Sequence, residues 1–107
     1  MTVYVDVADM RLFVAIADTG SQDAAGKKVG MGAGTVSEKI KSLEAAYGVK
    51  LVKHERGRPA ELTREGKLFV EHARRILRQL EAMNEEMSRF SKGVSGDRAI
   101  GSASAPS

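Results

Sequence analysis

A mainly α fold with one small two-stranded wing and a long closing helix is what this sequence predicts, on three observations. Residues 20–48, GSQDAAGKKVGMGAGTVSEKIKSLEAAYG, hold a short alanine-bearing helix, a glycine-rich turn and a second helix with Val36, Ile40 and Leu43 at helical spacing. The segment HERGRP, from His54 to Pro59, reads as a wing tip between two short β-prone stretches. Phe69, Ala73, Ile76, Leu80, Met83, Met87 and Phe90 recur at successive steps of four and three, an a/d seam over about three heptads. Together these describe a winged helix-turn-helix followed by a long linker helix.

Each element has its own signals. The opening MTVYVDV alternates weakly and reads as a lead-in. From Asp9, a candidate N-cap, the apolar set Met10, Phe13, Val14, Ile16 and Ala17 predicts one face of a first helix that Gly20 ends. Ser21 is placed to cap a second helix running to about Val29. Gly30, Gly32 and Gly34 form the next turn, and the third helix should reach Tyr47, with Gly48 just past its end. Val49–Lys53 and Glu61–Thr63 are expected to pair as the wing. The long helix should open near Thr63 and reach Phe90 or Lys92, before the Gly/Ser/Ala-rich tail GVSGDRAIGSASAPS. The expected organisation is thus a winged unit over 1–62, a linker and dimerisation helix over 63–92 and a flexible hinge or tail over 93–107.

Composition narrows the function classes. The chain has 107 residues, room for one small domain and an extension, and a core of that size gains from a partner chain. With no cysteine there is no disulfide framework and no thiolate metal site, which suits a cytoplasmic protein. The first ten residues lack the basic patch and apolar run of a signal peptide. No apolar stretch approaches the ~20 residues of a membrane span, so no membrane partner is expected. The net charge of +3 is unevenly spread. Residues 1–20 set Arg11 against Asp6, Asp9 and Asp18, whereas residues 21–62 carry eight basic groups against five acidic ones. The excess lies where phosphate neutralisation would use it.

No catalytic constellation is legible. His54 and His72 are far apart, without metal-ligand spacing, and no nucleophile–base–orienter trio or working carboxylate pair stands out. The run GMGAG matches neither the dinucleotide fingerprint nor the P-loop, and no strand precedes it. A binding module is therefore expected, not an enzyme, with no cofactor and no metal.

Two helices across a tight turn are the unit that places one helix in the major groove of DNA. Thr35 is suited to touch a base edge or a thymine methyl. Ser37, Lys39 and Lys41 are suited to phosphates, as is Ser21 at the start of the preceding helix. Gly32, Ala33 and Gly34 would let a DNA backbone approach the first amides of the third helix. Arg56 and Arg58, flanking Gly57, would suit a narrow minor groove. Glu38 sits among these groups and would repel nearby phosphates. The seam from Phe69 to Phe90 is the expected dimer interface. A helix of nearly thirty residues would extend ~40–45 Å, which leaves its outer apolar positions uncovered without a second copy.

With these residues placed, the chain resembles the N-terminal part of a LysR-type transcriptional regulator from about Met10 to Gly101. Phe13-Val14-Ala15, Gly20-Ser21 with Ala24-Ala25, and Thr35-Val36-Ser37 with Ile40 through Leu43-Glu44 are similar to its helix-turn-helix. Gly48-Val49-Lys50-Leu51 is similar to the lead into its wing. Leu62-Thr63-Arg64-Glu65-Gly66 and His72-Ala73-Arg74-Arg75-Ile76-Leu77 are similar to its linker helix. A molybdate-type regulator is a weaker match. The resemblance implies duplex DNA as partner and a homodimer joined through antiparallel linker helices. It implies no small-molecule effector for this stretch, because the family's sensing domain would begin near Arg98 to Ser102.

Three departures bear on function. Gln22 stands where the family usually has an aromatic residue. Gly32-Ala33-Gly34 stands where it usually has Ser-Gln-Pro, which removes a side-chain cap and a base-reading glutamine. Glu38 stands where it often has arginine. They keep open an alternative from another class: a dimerisation or protein-interaction module with a degenerate DNA-reading surface.

Overall fold

Two aspartates start the first helix, three residues earlier than the sequence suggests. A computed structural model describes residues 3–53 and 59–95, with side chains through Ser91. Its elements are α1 (Val7–Thr19), α2 (Gln22–Val29), α3 (Ala33–Tyr47), β1 (Val52–Lys53), β2 (Glu61–Leu62) and α4 (Arg64–Ser95). His54, Arg56, Arg58 and the tail beyond Ser95 lie outside the described residues. Asp6, not Asp9, is the N-cap of α1. Its carboxylate accepts the Asp9 N–H at 2.8 Å, and the Asp9 carboxylate accepts the Asp6 N–H at 3.1 Å. This reciprocal pair satisfies donors that a bare helix start leaves open. The Asp9 N–H also holds the Asp6 carboxyl below its usual range.

The second helix follows its expected boundaries, and the third ends at Tyr47 as expected but begins at Ala33, which puts Gly34 inside the helix and not in the turn. Ser21 accepts the Ala24 N–H at 3.1 Å and caps α2. Gly30 adopts φ 76°, a left-handed conformation that turns the chain into α3 at little steric cost. At Gly26 the two helices approach so closely that a β-carbon there would lie 2.8 Å from the Met31 carbonyl oxygen and 3.0 Å from Val36 Cγ2.

The core forms where α1, α3 and the wing converge. Leu12, Phe13, Ala15 and Ile16 of α1 are buried with Ala25 of α2, Val36, Ile40 and Leu43 of α3, and Leu51, Val52 and Leu62 of the wing. Ala17, expected on the buried face of α1, is exposed, while Leu12 and Ala15 are buried instead.

The wing is shorter than expected. Its strands are antiparallel, with Val52 opposite Leu62 and Lys53 opposite Glu61, and the latter pair forms an ion pair at 3.3 Å. Leu51 precedes β1, and its amide is taken by the Glu44 side chain. Thr63 does not extend β2, because it serves the start of α4. Its hydroxyl accepts the Gly66 N–H at 3.0 Å and donates to the Lys50 carbonyl at 2.7 Å.

The chain divides into two compact units, Met1–Leu77 and Arg78–Ser107. In the first unit, Val70 of α4 joins the core, and the ring of Phe69 meets Phe13 edge-on at 5.1 Å and Tyr47 at 6.2 Å. Arg74 closes on Asp18 at 2.7 Å, and this hydrogen bond holds the Asp18 carboxyl below its usual range. In the second unit, Met83, Met87 and Phe90 are exposed. The helix runs on to Ser95, past the end expected near Lys92.

Glycines in the third and fourth helices make opposite predictions. A β-carbon at Gly66 would be driven into the Leu51 carbonyl oxygen, whereas one at Gly34 would meet open space. Gly66→Ala should therefore destabilise the fold by about 2 kcal/mol through overpacking. Gly34→Ala should stabilise it by up to about 1 kcal/mol through helix propensity. Urea unfolding of the two variants checks this, and midpoints shifted in the same direction would contradict it.

Candidate nucleic-acid interface

The turn between α2 and α3 presents one face of α3 to solvent. Val36, Ile40 and Leu43 point into the core, and Glu44 lies beside them. Gly32, Ala33, Gly34, Thr35, Glu38 and Lys41 are exposed, joined by Ser42 and Ala45 farther along. Six of the residues singled out from sequence thus share one surface. The helix begins without a side-chain cap: Gly32 is the N-cap residue and contributes only its carbonyl, which accepts the Val36 N–H at 3.0 Å. The first amides of α3 therefore face outward beside three residues with little or no side chain.

Two expected contact residues are placed differently. Ser37 is only half-buried at one flank. Lys39, expected to meet phosphate, is turned to the start of α1, where its ammonium lies 3.2 Å from Asp9 Oδ1. Asp9 is only 6% exposed, and a carboxylate so sheltered needs a nearby cation. The hydrogen bond to Asp9 in turn holds the Lys39 ammonium above its usual range. The Ser21 hydroxyl oxygen is engaged as the α2 cap at the far side of the turn. Arg56 and Arg58 lie outside the described residues.

Glu44 is the residue that fixes the wing to this face. It is 7% exposed, and its Oε2 accepts the Leu51 N–H at 2.8 Å and the Val52 N–H at 3.2 Å. Lys50 approaches its other oxygen at 3.8 Å. The Thr63 N–H reaches the Leu51 carbonyl at 3.0 Å, so α3, β1 and the start of α4 share one short run of backbone. Sequence reasoning quoted Glu44 only as part of a resemblance. Its position four residues after buried Ile40 was the available signal, since that spacing places it at the edge of the apolar face.

The seam of α4 is not uniform. Phe69 and Ala73 are committed within the first unit: Phe69 packs on Phe13 and Tyr47, and Ala73 is 2% exposed. Phe69 is half-buried and Ala73 buried within this unit, so these two seam positions are less exposed than those that follow. Ile76 is exposed, and so is Leu68, which the heptad reading omitted. Beside them an apolar groove of about 440 Å³ is lined by Val5, Met10, Tyr47, Leu68, Phe69 and Ile76, with exposed His72 at its edge. In the second unit Leu80 is half-buried, and Met83, Met87 and Phe90 are exposed. No helix among the described residues is long and apolar enough to cross a membrane.

Known proteins share this arrangement. Residues 7–67 match the model of the bacterial regulatory helix-turn-helix proteins of the lysR family. An HTH-type transcriptional regulator of Xanthomonas campestris pv. campestris (strain 8004) is 34% identical over 91 residues, covering 85% of this chain and 26% of that protein. The regulator BsdA of Bacillus subtilis (strain 168) is 32% identical over 97 residues, covering 91% of this chain and 33% of BsdA. The chain therefore spans about a quarter to a third of the length of these relatives. Among solved structures, the CbnR DNA-binding domain in complex with DNA is similar, with a TM-score of 0.69 at 32% identity, covering 81% of this chain and 98% of that one. The BenM DNA-binding domain in complex with catB site 1 DNA has a TM-score of 0.75 at 26% identity, covering 81% of this chain and 96% of that one. The chain belongs to the lysR family of bacterial regulatory helix-turn-helix proteins.

Proposed function

We propose that the chain binds duplex DNA through the exposed face of α3, as a homodimeric transcription regulator acting in the cytoplasm. The observation that carries this reading is the face itself: a helix held out by a tight turn, with small residues at its start and Thr35 and Lys41 on its exposed side. Similar chains solved with DNA, the CbnR and BenM domains, support it. Thr35 would touch a base edge and Lys41 a phosphate, while Ser37 and Ser21 would add polar contacts at the flanks. Arg56 and Arg58 remain candidates for a minor groove on their charge and spacing alone. The reading needs no catalytic group.

The dimer would form through the exposed apolar positions of α4. Ile76, Met83, Met87 and Phe90 are 48–70% exposed, and the groove beside Ile76 gives a second copy further apolar surface to cover. Residues 63–92 would then serve as linker and dimerisation helix, with 1–62 as the DNA-binding unit and 93–107 as a hinge. The alternative, an interaction module without DNA binding, draws on the uncapped start of α3 and on Glu38, and it requires that no duplex bind even at low salt.

Two measurements test these readings. Ile76→Glu with Leu80→Glu should convert dimer to monomer in sedimentation, because each aliphatic side chain buried at an interface contributes about 1.5–3 kcal/mol. An unchanged dimer would place the interface elsewhere. For DNA, Lys41→Ala should flatten the dependence of log K on log salt by about one unit. Thr35→Ala should reduce sequence preference and leave that slope nearly unchanged. Full-strength, equally salt-sensitive binding by both variants would remove α3 from the DNA surface.

A further inference from the structure

Glu38 occupies the middle of the exposed face of α3, and nothing in the described part of the chain neutralises it. Counting around the helix, it lies nearly opposite the side formed by Val36, Ile40 and Leu43. It is exposed, and its carboxylate makes no ion pair and no side-chain hydrogen bond among the described residues. The adjacent cation is taken elsewhere, since Lys39 is drawn to the sheltered Asp9 carboxylate at 3.2 Å. Lys41 lies farther round the helix and also leaves Glu38 unpaired. The neighbours toward the helix start, Gly34 and Thr35, are small, so the backbone there can approach a groove closely and carry the Glu38 side chain deep.

A carboxylate in that position has two possible consequences on DNA. Against the phosphates it only repels. Against the floor of the major groove it meets the exocyclic amines of cytosine and adenine, and of these cytosine offers a donor without the neighbouring N7 acceptor that would repel the second carboxylate oxygen. We propose that Glu38 is a specificity-determining residue that accepts a hydrogen bond from a cytosine N4 amine in each half-site. The proposal rests on the DNA-binding reading given above and adds to it the base that the centre of the helix takes.

Selection of bound sites from a random duplex pool, run on the full chain with wild type, Glu38→Ala and Glu38→Gln, tests this. Circular dichroism confirms that each variant keeps its helices, as expected for a substitution at an exposed position. Wild type should fix one position of each half-site as cytosine, preferred about tenfold over other bases. Glu38→Ala should flatten that position alone. Glu38→Gln should move its preference toward adenine, whose N6 and N7 a side-chain amide matches. If wild type selects sites and every position survives Glu38→Ala unchanged, with all duplexes bound more tightly, Glu38 acts only by repulsion and the proposal is overturned while DNA binding stands. If wild type selects no duplex under low salt, the DNA-binding reading falls and the proposal with it.

Discussion

Glu44 ties α3 to the segment leading into the wing by hydrogen bonds, and Thr63 ties that same segment to the start of α4. Its carboxylate, on the inner side of α3, takes two consecutive backbone amides of the segment leading into the wing. An acidic side chain this sheltered is costly unless its oxygens are matched by donors, and here they are matched by groups the wing must also satisfy. The same stretch of backbone offers the Leu51 carbonyl to Thr63 and meets Gly66 with no room for a side chain. The orientation of α3 relative to β1 and to the opening turn of α4 thus follows from one hydrogen-bonded junction. Any function carried by the outer face of α3 inherits that orientation.

The order of elements was legible in the sequence because it depends on local signals. Glycines past the helix ends, Ser21 before α2 and the apolar spacing of α3 act within a few residues of themselves. What depended on distant partners was not legible. Asp9 looked like a cap, yet it is the third residue of α1 and reaches Lys39 thirty positions later. The wing strands looked longer, since nothing local reveals that Glu44 and Thr63 redirect the amide and hydroxyl groups at their ends. The heptad seam looked continuous, but Phe69 packs on Phe13 of α1 and Tyr47 at the end of α3, and Ala73 is buried within the same unit. Periodicity says which residues share a face and not what covers it.

The candidate interface shows the same division. The exposed set around Thr35, Glu38 and Lys41 follows from the three buried positions of α3 and could be read directly. The removal of Lys39 from that set could not, because it depends on a sheltered carboxylate contributed by another helix. The result is an exposed face with an acidic group at its middle and small residues at its leading edge. Membership in the lysR family accounts for the scaffold, while the particular side chains on this face set what it can recognise.

Backbone hydrogen exchange tests the junction most directly. The amides of Leu51 and Val52 lie at the edge of a short two-stranded ladder and have only the Glu44 carboxylate to protect them. In wild type they should exchange as slowly as core amides of α3, and Glu44→Ala should speed both by at least about tenfold, the equivalent of losing about 1.4 kcal/mol of protection. Exchange at Ile16, inside α1, should change less. Fast exchange of Leu51 and Val52 in wild type, or unchanged protection in Glu44→Ala, would contradict the claim that this carboxylate holds α3 to the wing.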